Sequence, residues 1–224
     1  MLSIHQPNFI PWQGYFSKIK NSDIFVILDS VQYPRGKSIA NRNKLRSKNN
    51  EIELVVPISK KSGSKGIFTY LEAEISEANW FVKPLKSIKH SYSKAPYYNE
   101  YFEKIEKVFK IKSFFDLNVE FIKFVNEVLN IDTKIVFLSE LQDINSDKNN
   151  RILELCNLFG ATQYLSGNGG KNYNDEQLFK FKNIELIYMD YYPPKYEQFQ
   201  GDYFKNLSVL DLIFNHGSNS SNYI

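Results

Sequence analysis

Residues 4–14, IHQPNFIPWQG, and residues 24–29, IFVILD, decide the reading of the fold. Leu2–Ile4 is a short apolar strand. Pro7 has no amide N–H to give to a ladder, so the strand stops almost at once. Trp12–Asn21 predicts a helix, with Pro11 placed just ahead of its first turn. Ile24–Leu28 is an unbroken apolar run closed by Asp29, the pattern of a strand buried on both faces. Strand, polar turn, helix and buried strand make a βαβ unit. In open α/β sheets the ligand crevice lies at the carboxyl ends of the strands. That edge receives His5, Gln6 and Asn8 from the first strand, and Asp29 with Gln32 and Tyr33 from the second.

Further along, Lys134–Leu138, Gln163–Leu165 and Glu185–Met189 read as strands. Helices at Asn149–Phe159, ended by Gly160, and at Asp175–Phe181 separate them. Strands alternating with helices predict an α/β fold with a mainly parallel, Rossmann-like sheet and helices on both sides. Ala78–His90, with Pro84 delaying or kinking it, Tyr97–Phe109 and Phe114–Leu129 predict a helical insert over about residues 78–131. Glu53–Ile58 and Phe68–Ile75 are additional strand candidates, with a flexible surface turn at Ser59–Gly66 between them. Ser208–Asn215 is a last helix, with Ser208 as N-cap and Asp211 completing a capping box. Residues 1–216 are expected to form one domain, and the composition of residues 217–224, GSNSSNYI, predicts a disordered tail.

Hydrophobic residues make up 42% of the 224, enough for a core of that size. The net charge of +3 is too small to argue for nucleic acid by itself. Its distribution says more: Arg35, Lys37, Arg42, Lys44, Arg46 and Lys48 occupy a stretch with no acid between Asp29 and Glu51. The single cysteine, Cys156, rules out a disulfide framework and reads as packing in an apolar helix. No apolar run approaches the roughly 20 residues that span a bilayer, and the N-terminus lacks the pattern of a signal peptide. A cytoplasmic location is the expectation.

His5 leaves a strand beside polar residues, where an imidazole can act as a general base; otherwise it ties the turn together. Asp29 is the second catalytic candidate, with a structural cap as its competing role. Gln6 and Asn8 offer amides for reading a sugar, a base or an amide. Arg35 and Arg42 can clamp phosphate or carboxylate bidentately, and Asn41 and Asn43 flank Arg42 in a polar strip. Ser166, Gly167 and Gly169, from SGNGG, form a loop after a strand whose bare amides suit an anion. Its spacing is neither a Walker loop nor a dinucleotide fingerprint. Asp190 leaves the last strand at the same edge. The histidines and the cysteine do not have metal-ligand spacing, and no metal is expected.

HQPNFIPWQGYF, IFVILDSVQYPR, NRNKL, KHSYSKAPYY, LFGATQYLSGNGGKNY, IELIYMDY and LSVLDLIFNHG, in this order, resemble the WbqC-like family over nearly the whole chain. The resemblance implies a cytoplasmic role in bacterial O-antigen or other surface polysaccharide synthesis. Within that family, glycyl transfer onto an amino sugar is the activity implied. A second likeness is to adenylate-forming pantothenate synthetases, of the nucleotidylyl-transferase group of α/β folds. Asn8 stands where those enzymes carry a second histidine, so the likeness does not by itself imply their use of ATP. Three functions are therefore expected in order. The first is an aminoacyltransferase or amide ligase acting on a nucleotide- or lipid-linked amino sugar, with ATP or an aminoacyl-tRNA supplying the activated donor. The second is a sugar-nucleotide binding or assembly protein without turnover. The third is a tRNA or RNA binding module.

Overall fold

A computed structural model describes residues 1–48, 50–59, 67–142, 144 and 148–224. The central sheet has five parallel strands: β1 (Leu2–His5), β2 (Ile24–Ile27), β5 (Lys134–Phe137), β6 (Gln163–Ser166) and β7 (Glu185–Tyr188). Their spatial order is β5-β2-β1-β6-β7. Within this sheet the winding runs outward from β1 to β2 and β5, then reverses to β6 and β7. The reversal falls between β1 and β6, the switch point where open sheets bind ligands. β1 pairs with β2 from Leu2↔Ile24 through His5↔Ile27, whereas its recorded pairing with β6 is at Leu2↔Tyr164, the opposite end.

Alternation along the strands makes two cores. Phe25 and Ile27 face the larger one, with α1 (Gln13–Lys20), α2 (Val82–Tyr92), α3 (Tyr98–Phe109), α4 (Phe114–Leu129) and α7 (Val209–His216). Leu2, Ile4 and Val26 face the smaller one, with α5 (Lys148–Leu158) and Phe179 of α6 (Glu176–Phe181). The sheet is thus covered on both sides, and this is why β2 reads as unbroken apolar sequence.

The basic stretch after Asp29 is not one long connection. Arg42–Arg46 forms β3, paired antiparallel with β4 (Glu51–Val55) in a separate two-stranded sheet. Its cations find their counter-charges across the hairpin, Lys44 with Glu51 at 2.5 Å and Arg42 with Glu53 at 3.3 Å. Phe68–Ile75 does not form a strand; isolated bridges Gln32↔Thr69 and Ile58↔Ile75 pin it instead. Residues 60–66 of the expected surface turn lie outside the described residues. Pro84 sits in the first turn of α2, where its missing N–H costs nothing, and the helix starts later than its apolar spacing suggested.

Residues 217–223 were expected to be a disordered tail and are a 3-10 helix. Lys20 Nζ donates to the carbonyls of Ser221 (2.9 Å) and Ile224 (3.1 Å), and Tyr191 donates to that of Tyr223 (2.7 Å). Gly217 makes the turn possible: its φ is +56°, and a Cβ there would lie 2.5 Å from the Tyr97 ring.

Candidate functional site

β1 delivers His5 to the carboxyl edge of the sheet, on the face that carries α1. Its ring meets Tyr15 edge-on at 4.9 Å, and Nδ1 lies 3.0 Å from the carbonyl oxygen of Gln6. That oxygen only accepts, so Nδ1 carries the proton and Nε2 keeps its lone pair. Tyr15 donates to the same carbonyl at 3.1 Å, which fixes the turn under the ring. Burial, then the neighbouring Lys18 cation, lowers the imidazole from 6.5 to about 4. His5 is therefore neutral at neutral pH, a fixed tautomer with a free basic nitrogen.

Lys18 was not singled out from the sequence. It is buried beneath β1, donates to the Ile4 carbonyl at 2.9 Å, and is lowered by burial to about 8. Its burial, with every residue from 13 to 19, is a fact of the tertiary structure that nothing local in QGYFSKIK signals.

β1 and β6 are neighbours in the sheet, registered at Leu2↔Tyr164. Ser166 Oγ accepts from Asn174 Nδ2 at 2.9 Å and donates to the Gly167 carbonyl at 3.2 Å. Gly170 is required by packing, since a Cβ would fall 2.0 Å from Ser166 Oγ. At Gly167 and Gly169 a Cβ would meet nothing within 4 Å, so the loop opens onto free space on that side. The SGNGG segment turns into a 3-10 helix, and the Gly170 amide is used on the Gly167 carbonyl. Asp190 is exposed just beyond β7.

Tyr33, Arg35, Asn41 and Arg42 come together elsewhere, in a pocket of about 500 Å³ that also takes in Pro57 and Phe68. The Tyr33 ring stacks on Phe68 at 5.1 Å and abuts Tyr70 at 5.2 Å. Burial raises the Tyr33 phenol, so it remains a neutral donor. Among the described residues, two shielded atoms of this pocket, Asn41 Oδ1 and Arg42 Nε, have no hydrogen-bond partner. Buried polar atoms rarely stay unpaired without a reason, and a ligand that supplies the partner is one.

Other expected site residues are structural. Asp29 is fully buried, and both oxygens are taken by Ser139, by its amide at 2.9 Å and its hydroxyl at 2.5 Å. It ties the end of β2 to the turn after β5, which corrects its assignment as a base. Asn43 joins the hairpin to the β1 turn by donating to the Ile10 carbonyl at 2.8 Å. Asn8 is buried in that turn, and Gln32 is exposed at the bridge to Thr69. The pocket that holds Arg42 does not include His5, Asp29 or Ser166, so the expected convergence on one cavity is divided between two places.

Asp211 is a second correction. It sits at the expected N3 position of α7, but its carboxylate turns inward. It accepts from Tyr92 and Tyr196 hydroxyls, each at 2.6 Å, and from Gln198 at 2.9 Å. Burial raises its pKa against the pull of these donors and of Arg46. An acid inside the apolar run VLDLIF was the signal for a buried role.

An open, parallel α/β sheet with a histidine at the carboxyl end of its first strand is the class of protein this fold defines. The chain belongs to the WbqC-like protein family, whose model matches residues 6–223. It is similar to the uncharacterized protein Rv1507c of Mycobacterium tuberculosis, 28% identical over 229 residues that span all of this chain and 96% of that protein. No solved structure matches it. Among the described residues no helix is long and apolar enough to cross a membrane, and no group of three or more His, Cys, Asp or Glu could hold a metal ion.

Proposed function

We propose that the protein is an enzyme of surface-polysaccharide precursor synthesis that joins an aminoacyl group, glycyl in the simplest case, to the amine of a nucleotide- or lipid-linked amino sugar. Membership of the WbqC-like family supports the biosynthetic setting. The observation that carries the chemistry is His5, held neutral with Nδ1–H on the Gln6 carbonyl and Nε2 free at the strand edge. In the reaction the amine nitrogen bonds to the acyl carbonyl carbon, and the bond from that carbon to the donor breaks. Nε2 takes the amine proton and returns it to the leaving group. Gln6, Ser166, Gly167, Gly169 and Asp190 are assigned to holding the acceptor. Tyr33, Arg35, Asn41 and Arg42 offer phosphate or carboxylate contacts for the donor, an acyl-adenylate made from ATP or a charged tRNA.

The test is mass spectrometry of purified protein incubated with UDP- or dTDP-linked amino sugars and either glycine plus ATP or glycyl-tRNA. A product heavier by one glycyl residue, lost in His5→Gln, is the expected result. Saturable sugar-nucleotide binding with no product from either donor would leave a binding or assembly protein in its place.

A further inference from the structure

We propose that a cleft between α2 and residues 199–204, apart from both places described above, is a binding site for a nucleoside diphosphate. The cleft measures about 1180 Å³. Small-molecule sites run to about 300–1,000 Å³, so this one has room for a nucleotide and is larger than a lone phosphate needs. Its cations are Lys48 after β3, Lys89 and Lys94 at the end of α2, and Arg46 at the base; Asp202 is the one acid lining it. Four cations against one acid leave three positive charges in excess, which matches a diphosphate. Among the described residues Lys48, Lys89 and Lys94 have no carboxylate within ion-pair distance.

Arg46 distinguishes this cleft from an ordinary solvated basic face. It is 2% exposed, and its guanidinium lies 4.8 Å over the Phe204 ring. Nη1 donates to Gln198 Oε1 at 2.6 Å and to the Asp202 carbonyl, while the shielded Nε has no partner. Gln200 spends its amide N–H on the Ser91 carbonyl and leaves Oε1 shielded and unpaired. Arg46 and Gln200 thus put a guanidinium and an amide in the same wall, each with one shielded atom that no described residue bonds. Phosphate oxygens answer the first; a base N–H or a ribose hydroxyl answers the second. Phe199 and Tyr203 also line the cleft and give a base apolar surface to lie on. Lys83 and Lys86 continue the exposed basic face along α2, so a single-stranded RNA is the probe that separates a nucleic-acid strand from a mononucleotide. None of the residues lining the cleft is one given a part in the reaction proposed above, so this inference stands independently of it.

Isothermal titration calorimetry on the full chain tests it, with UDP, ADP, inorganic pyrophosphate and a single-stranded RNA 12-mer as probes. The expected result is saturable binding of UDP or ADP, at least about tenfold tighter than pyrophosphate. Binding should weaken about tenfold or more in K89Q/K94Q, whose positions are exposed and whose fold is checked by circular dichroism, and should persist in His5→Gln. The proposal is overturned by any of three results: no saturable heat from either nucleotide at millimolar concentration, equal affinity in K89Q/K94Q, or binding of the RNA without binding of the mononucleotides.

Discussion

His5 should make the protein acid-sensitive in a way that one substitution removes. In the folded chain its pKa is lowered from 6.5 to about 4, first by burial and then by Lys18. Between those two values the unfolded chain binds the proton and the folded chain does not, so acid favours unfolding. The stability at stake is fully present above the unfolded value and is lost as pH falls toward the folded one. That lowering corresponds to roughly 3 kcal/mol in all, of which roughly 2 kcal/mol is lost between pH 7 and pH 5. Urea denaturation at a series of pH values measures it: the wild-type stability should fall by that amount more than that of His5→Gln. Imidazole NMR of the folded protein gives the same quantity directly, and in Lys18→Met the His5 pKa should rise. A folded-state His5 titrating near its ordinary value, or identical acid slopes in wild type and His5→Gln, would refute the reasoning. It would also remove the fixed neutral tautomer on which the proposed proton relay depends.

Asp29→Asn should destabilise the fold by about 1–3 kcal/mol, because Ser139 loses a charged acceptor; the denaturation midpoint falls, while product formed per folded molecule stays within about twofold. Asp211→Asn should cost about 2–4 kcal/mol, read as a lower Tm, since two tyrosine hydroxyls, Gln198 and Arg46 converge on that carboxylate. An unchanged Tm would show that the network is not holding α7 in place. Cys156 is fully buried and its thiol is pushed up to about 11 by burial. A thiol reagent should therefore leave it unmodified in the native protein and label it completely in urea.

Much of the chain was legible because its signals are local. The βαβ opening shows in the contrast between IHQP and IFVIL, and α4 shows as an apolar stripe from Phe114 to Leu129, bounds the structure keeps. The β3–β4 hairpin was hidden because its basic strand carries no apolar alternation; the acids that neutralise it come after the turn. The last eight residues look like a tail because nothing within them reveals Lys20, some 200 positions earlier, bonding their carbonyls.

By itself the sequence determined the parallel α/β class, the helical insert, the family likeness and the placing of His5 at a strand end, because periodicity, proline and capping act over a few neighbouring residues. Only the tertiary structure decided what each polar side chain does. Asp29 is silenced by Ser139, 110 positions away, and Asp211 is turned inward toward Tyr92, 119 positions away. An isolated carboxylate has the same chemistry in every sequence. Whether it serves as base, cap or buried acceptor depends on the donors and the dielectric that folding brings to it.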